Sequence, residues 1–336
     1  MPTITDVARA AGVSISTVSY ALSGKRSIAE STRQRVDAAV RELGYRPNAG
    51  ARMLAGTRSH ILALSAPMRG ELHLPTHMRF VTAVLEAARA ADYDVLLLVT
   101  DDSASGIDRV AASSLVDGVV LMGVEHDDVR AGQIRGLSLP ATFIGVPADD
   151  NELSCVDLDF AGAARDAVRR LAASGHRVVG VVGHPQSYVD RDAGFVHRFS
   201  TAFADECEAL GIRTAEVNPH INRGSVAVAL DTLFDELPGM TGLVLHCNEP
   251  VAEAVLARVR ERGLRIPTDL SVLAACASYE TETLETPLSS IPLPFVDMCR
   301  GAVEMTLSQI DHGRAAAIEL LPPVYVDRDT VATATV

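Results

Sequence analysis

Two carboxylates, Asp157 and Asp159, stand two apart at the end of the apolar run SCVDLD. Residues i and i+2 of a strand share a face, so the pair could converge and trade a proton with a substrate. No nucleophile, histidine partner or metal-ligand spacing accompanies them, so catalysis is not expected. His73, His77, His176, His184, His197, His220 and His246 read as isolated surface or capping residues rather than zinc ligands. The five cysteines are scattered at long spacings with no C-x-x-C pair, which indicates neither a zinc site nor a disulfide framework. Buried, inert thiols are the expectation. The glycines around Gly180 and Gly183 do not form G-x-G-x-x-G, so no dinucleotide site is supported. No metal and no cofactor are expected. The chemistry that remains is recognition by hydrogen bonds, led by Ser16, Ser19 and Tyr20 on one outward face of a short helix.

That helix belongs to a set of three. Thr3 can cap the first, with Asp6 in its first turn, where a carboxylate suits the helix dipole. Val7, Ala8 and Ala11 form its apolar stripe, and Gly12 stops it. Ser14 caps a second helix whose Val18, Ala21 and Leu22 face inward at i, i+3, i+4. Ser23-Gly24-Lys25 makes a loop. A third helix runs from about Glu30, with Val36, Ala39, Val40 and Leu43 inward, and ends at Gly44. Three short helices with a tight glycine turn make a helix-turn-helix unit.

Charge agrees with that reading. The chain carries a net −13, but residues 1–60 hold nine Lys/Arg against four Asp/Glu, while the remainder holds 21 against 39. A basic arm on an acidic body can meet phosphates while the body stays away from DNA. No apolar run approaches 18 residues, so no membrane span is expected. The opening MPTITDVARAAGVS has neither a basic nor an apolar leader region, and a cytoplasmic location is expected.

The run TITDVARAAGVSISTVSYALSGKRSIAESTRQRVDAAVRELGYRPNAGARMLAG, Thr3 to Gly56, resembles the headpiece of the lac repressor (LacI) family without a gap. The resemblance implies that the second helix enters the major groove and reads base edges. It assigns base reading to Ile15, Ser16 and Tyr20. It assigns phosphate or sugar contacts to Thr3, Ser14, Thr17, Ser19, Ser23, Thr32, Tyr45 and Asn48, which position without specifying. Many members carry Arg where Tyr20 stands. Tyr20 offers one hydroxyl and a ring, so an operator not read by an Arg–guanine pair at that position is expected. Pro47 to Gly56 resembles the family's hinge helix, with Leu54 as the minor-groove wedge and Ala51 at the helix–helix contact. Gly50 costs that helix about 1 kcal/mol relative to Ala, so ordering only on DNA is expected.

From Ser59 onward apolar runs bounded by turn signals alternate with helical stretches: HILALSAP, DVLLLVTDD, DGVVLMG and LPATFIGVP, then RVVGVVG, TGLVLHCN and DLSVLAAC. Continuous aliphatic strands between helices read as parallel strands buried on both faces. Two series imply two doubly wound lobes with a ligand cleft at the carboxyl ends of the strands. The expected fold class is therefore α/β: an N-terminal three-helix lacI-type helix-turn-helix plus hinge helix, then a two-lobed periplasmic-binding-protein-like sensor. The expected divisions are a headpiece at 1–46, a hinge and linker at 47–58, and an effector-binding and dimerisation domain at 59–336. Lobe one is placed at about 59–156 and 288–318, lobe two at about 157–287 and 319–336.

The resemblance continues through SCVDLDFAGAARDAVRRLAASGHRVVGVVG, Asp190 to Phe195, PLSSIPLPF and LPPVYVDRDT. It implies effector contacts at Arg191, whose guanidinium fork suits hydroxyls or a carboxylate, and at Asn248 and Phe295. Met122 and Pro67 lie at other strand ends facing the cleft. The chain departs from the family where a Gly-aromatic-Asp-Asp run commonly stands: Ala275, Cys276 and Ala277 occupy it. The first cleft loop reads PMRGELHLPTHM instead of the common Asn-Pro-Phe run. A sugar effector is therefore less expected than for the family at large, and an effector-free regulator stays open.

The resulting expectation is a sequence-specific DNA-binding regulator, a repressor by default, binding a near-palindromic operator as a homodimer and modulated by a small-molecule effector. The alternative is a solute-binding protein of a transporter, against which the helix-turn-helix start and the missing export signal both argue. An enzyme acting on a sugar or nucleoside comes third. No C-terminal heptad extension follows RDTVATATV, so a coiled-coil tetramer is not expected.

Overall fold

A computed structural model describes residues 2–23, 28–45, 58–69, 71–99, 103–113 and 115–334. Gly50 and the expected contact residues Asn48 and Leu54 lie outside the described residues. So do Lys25, Arg26 and Arg52.

The N-terminal unit holds α1 (Ile4–Ala11), α2 (Ile15–Ser23) and α3 (Glu30–Leu43). Thr3 and Asp6 close a reciprocal capping box: the Thr3 backbone N–H donates to Asp6 Oδ2 at 2.8 Å, and the Asp6 N–H donates to Thr3 Oγ1 at 3.3 Å. Gly12 ends α1 in the left-handed region at φ 63°, a conformation that favours glycine. Its Cα turns the chain within two residues into the Ser14 cap, whose Oγ accepts from the Thr17 N–H at 3.1 Å. Val7, Ala8, Ala11, Val18, Ala21, Val36, Ala39 and Tyr45 form the buried centre. Leu22, expected inside, is instead largely exposed, because the small trihelical core closes over Val18 and Ala21.

The body contains two parallel sheets. The six-stranded sheet has the order β11-β5-β4-β3-β1-β2. Its strands are β1 (Ile61–Ser65), β2 (Asp94–Leu98), β3 (Gly118–Leu121), β4 (Ala141–Ile144), β5 (Ser154–Leu158) and β11 (Ala317–Leu321). The five-stranded sheet has the order β10-β9-β8-β6-β7. It comprises β6 (Val178–Val182), β7 (Arg213–Val217), β8 (Gly242–Leu245), β9 (Ser271–Ala277) and β10 (Ser289–Pro292). Every ladder is parallel. Central strands β3, β4, β5, β8 and β9 are buried along their whole length, which is why they read as unbroken apolar runs.

Helices cover both faces. Against the first sheet lie α4 (Leu74–Ala90), α5 (Ser103–Ser113), α6 (Val129–Gly136) and α12 (Phe295–His312). Against the second lie α7 (Phe160–Ala173), α9 (Gly194–Ala209), α10 (Arg223–Glu236) and α11 (Glu249–Glu261), with the short α8 (Gln186–Asp190) leading into α9. No described helix is long and apolar enough to cross a membrane.

The crossovers fall elsewhere than expected. β5 extends to Leu158 and pairs with β4 and β11, so residues 157 and 158 belong to the first sheet. β10 pairs with β9, so residues 289–292 belong to the second. β11 runs through Leu321 in the first sheet, past the expected break at 318. Strand pairing, rather than the family-like segments PLSSIPLPF and LPPVYVDRDT, sets these limits. β7 has no counterpart among the expected strands. It is an edge strand, RTAEV, whose exposed Arg213 and Glu216 break the apolar run.

Candidate effector cleft and nucleic-acid interface

The carboxyl ends of both sheets face a cavity of about 150 Å³. Turns after β1, β3, β6 and β8, together with the ends of β4, β5 and β9, supply its wall, as expected for a cleft at the topological switch points. Of the residues proposed from sequence, Arg191, Asn248 and Met122 line it. Phe295 and Pro67 do not. The Phe295 ring packs 5.8 Å from Phe80 with the Arg79 guanidinium 4.4 Å from its centroid, and Pro67 lies beside Gly123.

One wall is an aromatic box. Phe160 and Phe195 lie 5.5 Å apart, and His184 meets Phe195 edge-on at 5.0 Å. His246 stands edge-on to His184 at 4.9 Å and stacks on Phe199 at 3.9 Å. Tyr188 closes the box, with the Arg191 guanidinium 4.0 Å from its ring centroid. Burial drives the His184 pKa down to about 3 and holds His246 well below its ordinary range. Burial also lowers His73 and His77, and Arg191 adds to the effect at His77. All four rings are therefore neutral at neutral pH.

Several polar atoms in this wall have no hydrogen-bond partner among the described residues: His184 Nδ1, both ring nitrogens of His246, and Asn248 Nδ2. A buried donor or acceptor left unpaired costs about 1–3 kcal/mol. These four atoms lie beside one cavity. Arg191 forms no salt bridge with any described carboxylate. Its cation is supported by the Tyr188 ring, and burial lowers its pKa.

The carboxylates at 157 and 159 do not converge. Asp157 lines the cavity in a close ion pair with Arg198 and accepts the Leu158 N–H at 3.0 Å. Burial pushes its carboxyl up against the pull of Arg198. Asp159 lies beyond β5 and caps α7, its Oδ1 accepting from the Gly162 N–H at 2.7 Å. One carboxylate is an ion-pair partner and the other a helix cap, so they do not form an acid/base couple.

The expectation of isolated surface histidines fails for His77, His184 and His246, which are buried in the cleft wall, for His73, which lines it, and for His176, which is buried away from it between Thr241 and the Ala332 carbonyl. His73 and His77 stand four apart at the start of α4, a spacing legible in the sequence that puts both on one helix face. His184 and His246 each follow a buried strand of their sheet, β6 and β8, and that position was the available signal. The cysteine expectation agrees with the structure: all five are free and buried. Cys276 takes φ 52° at a bulge where β10 skips from Ala275 to Ala277, which turns it into the cleft.

The lobes touch along the cleft rim. Arg79 donates to the Ser278 carbonyl at 2.6 Å and to Glu280 at 2.8 Å, and Glu71 meets His220 Nδ1 at 2.8 Å. Glu125 and Ala193 of the two lobes form an antiparallel bridge. Behind the β3 turn, Arg130 is fully buried and pairs with Asp128. It also donates to the carbonyls of Met122 and Gly123, both at 3.1 Å, which fixes two lining residues.

In the N-terminal unit, Ser14, Ser16 and Thr17 form a hydroxyl cluster at the start of α2, with Ser14 Oγ 2.8 Å from both partners. Ile15 and Tyr20 are exposed on the same helix, 48% and 37%. The first turn of α2 holds no acidic residue, so no carboxylate of that turn offsets its partial positive charge. Thr3 is exposed, and Thr32 and Ser19 are half-buried. Ser23 belongs to α2, but its side chain is not among those described. Tyr45 is buried in the trihelical core, which leaves it little surface for a phosphate.

Residues 3–48 match the family model for bacterial regulatory proteins of the lacI family, and residues 152–331 match that for a periplasmic binding protein-like domain. The chain is 31% identical to an "Uncharacterized HTH-type transcriptional regulator in aml 5'region" of Streptomyces limosus, over 99% of this chain and 95% of that one. It is 30% identical to the HTH-type transcriptional regulator GntR of Pseudomonas aeruginosa, over 92% and 89%. A solved structure of the lac repressor dimer bound to operator and the anti-inducer ONPF shares the fold, with a TM-score of 0.82, 22% identity and coverage of 98% and 99%. With a capped trihelical unit ahead of a two-sheet cleft, and with these matches along its length, the chain belongs to the lacI family of bacterial regulatory proteins and is a helix-turn-helix transcriptional regulator.

Proposed function

We propose that this regulator is a cytoplasmic homodimeric repressor, without enzymatic activity, whose grip on a near-palindromic operator is set by a small ligand in the cleft. The observation that carries the ligand is the set of buried atoms on His184, His246 and Asn248 without a described partner, beside Arg191, which pairs with no described carboxylate. Neutral imidazoles offer one donor and one acceptor each, Asn248 offers a donor, and Arg191 favours an anionic or acceptor-rich end. Phe160, Tyr188 and Phe195 suit a flat or apolar body. The ligand class is therefore a compact molecule with a ring or apolar part and a carboxylate or similar acceptor group. The end of β9 carries no carboxylate, since Ala275, Cys276 and Ala277 stand there, and Glu280 beyond it is paired with Arg79.

At the DNA end, Ile15, Ser16 and Tyr20 contact base edges, and Leu54 wedges at the operator centre. Thr3, Ser14, Thr17, Ser19, Ser23, Thr32 and Asn48 position the unit on phosphate and sugar. Support comes from the exposed α2 face and its first turn, which holds no acidic residue. A ligand that prefers one arrangement of the lobes shifts the spacing of the two DNA-binding units, and so the operator affinity.

The test is a thermal-shift screen of the full-length protein against small aromatic, heterocyclic and aliphatic carboxylates and free sugars, followed by operator binding with each hit. A carboxylate hit that changes operator affinity and is lost in Arg191→Met is expected. A sugar hit insensitive to Arg191→Met would overturn the ligand assignment.

A further inference from the structure

A second group of ligating side chains lies outside the cleft, at its rim. His126 sits in the turn between β3 and α6, on the first lobe. Asp192 and His197 sit at the α8–α9 junction, on the second. Their ligand atoms all lie within 4.8 Å of one another, and among the described residues this is the one group of three or more His, Cys, Asp or Glu so arranged. The two imidazoles stack at 3.9 Å with 12° between planes, and His197 Nδ1 is 2.9 Å from Asp192 Oδ1.

Three further features belong to a built site. The backbone joins the lobes here: the His126 N–H donates to the Asp192 carbonyl at 2.7 Å, and the Gly194 N–H donates to the Val124 carbonyl at 3.0 Å. Asp192 is held at φ 52°, a left-handed conformation uncommon outside glycine. The side chains of Asp192 and His197 stay 46% and 39% exposed, which leaves a path for an ion and room for water in the remaining positions.

We propose that His126, Asp192 and His197 form a divalent transition-metal site that ties the two lobes together at the cleft rim. Two imidazoles and one carboxylate are the donor set of zinc and its first-row neighbours, not of magnesium or calcium, which take oxygen ligands. Tetrahedral donors about 2.1 Å from an ion stand about 3.4 Å apart, so on binding the wider pairs close by up to about an ångström and the His197–Asp192 pair opens slightly. The His197–Asp192 hydrogen bond gives way to ligation, and the stacked rings part to face one ion. Because one ligand comes from the first lobe and two from the second, the ion stabilises the arrangement with the lobes in contact. Arg191, which lines the cleft, precedes Asp192 in the chain. The ion thus acts on the ligand cavity through one peptide unit.

The experiment uses full-length protein stripped by chelator and dialysed. Zn²⁺ is titrated by calorimetry, and Co²⁺ by its visible absorption. One saturable site per chain is expected, with a Co²⁺ spectrum that Zn²⁺ abolishes. His126→Gln, His197→Gln and Asp192→Asn should each weaken Zn²⁺ at least tenfold. Asn tolerates the left-handed backbone at 192, so that variant keeps the test valid if a histidine variant unfolds. A His60→Gln/His312→Gln protein should bind as wild type does, since both lie outside the cluster. Hydrogen exchange at the His126 and Gly194 amides should slow when Zn²⁺ is present. No saturable site, or equal affinity in wild type and the three variants, would overturn the proposal. Binding without slower exchange at those amides would overturn the bridging role.

Discussion

His246 is the most exacting residue in the cleft. Its ring is 1% exposed, packs 3.9 Å from Phe199, and has no partner at either nitrogen among the described residues. Replacing it with Phe keeps a flat ring and removes the unpaired groups. Each such group costs about 1–3 kcal/mol. The larger ring costs part of that through overpacking, on the order of 1 kcal/mol. His246→Phe should therefore stabilise the ligand-free body by about 1–5 kcal/mol at pH 7.5, or at least a few degrees in Tm at about 2–4 °C per kcal/mol. Acid should widen the gap. The folded protein holds His246 well below the 6.5 of an ordinary imidazole, so the unfolded chain binds the extra proton. Stability is then complete above pH 6.5 and is lost as pH falls, with the sign that stability rises with pH wherever the unfolded state holds more protons. At pH 5.5 this adds about 1.4 kcal/mol to the advantage of the variant. The assay is thermal and urea unfolding of both proteins at the two pH values, with ligand binding measured alongside. A variant less stable at pH 7.5, or a gap that does not widen at pH 5.5, would refute the claim that His246 is buried, neutral and unpartnered. Retained ligand affinity would refute its role in the cleft.

Three further outcomes follow from other residues. Asp128→Ala leaves the buried Arg130 cation without its partner and should cost about 3–5 kcal/mol, seen as a Tm lower by on the order of 10 °C, whereas a change under 1 kcal/mol would contradict the burial of that pair. Arg191→Met should weaken the cleft ligand by at least tenfold in calorimetry while leaving Tm of the free protein within about 2 °C, because the cation has no carboxylate partner to strand. Tyr20→Arg should shift the preferred half-site toward guanine when both proteins select from random DNA, and an unchanged half-site would remove Tyr20 from the base-reading set.

Much of this molecule is legible in its sequence. The Thr3–Asp6 capping box and the Gly12 stop are local chemistry, settled by side chains within a turn of each other, and they appear where the residues indicate. Central strands such as GVVL and SVLAA announce themselves because burial on both faces demands uninterrupted apolar residues. The edge strand RTAEV does not, since one side meets water and tolerates Arg213 and Glu216. The crossovers escape local patterns for a related reason. Which sheet takes β10 depends on a long-range pairing with β9 that no local pattern encodes. In the cleft, Arg191 and Asn248 are reached through the family resemblance and line the cavity. The pairing of His184 with His246, and of His126 with His197, joins residues far apart in the chain, and only the folded geometry brings each pair together.

The central claim is that the exposed face of α2 reads DNA under the control of the cleft. Its most direct test is selection of bound sequences from random or genomic DNA by the full-length protein near physiological salt, with and without a cleft ligand from the thermal-shift screen. The account predicts a near-palindromic site, occupied to a different extent when ligand is present. It also predicts that Ile15→Ala or Tyr20→Ala relaxes the preference. Enrichment no greater than non-specific DNA under both conditions, or a preference unmoved by those substitutions, would contradict it.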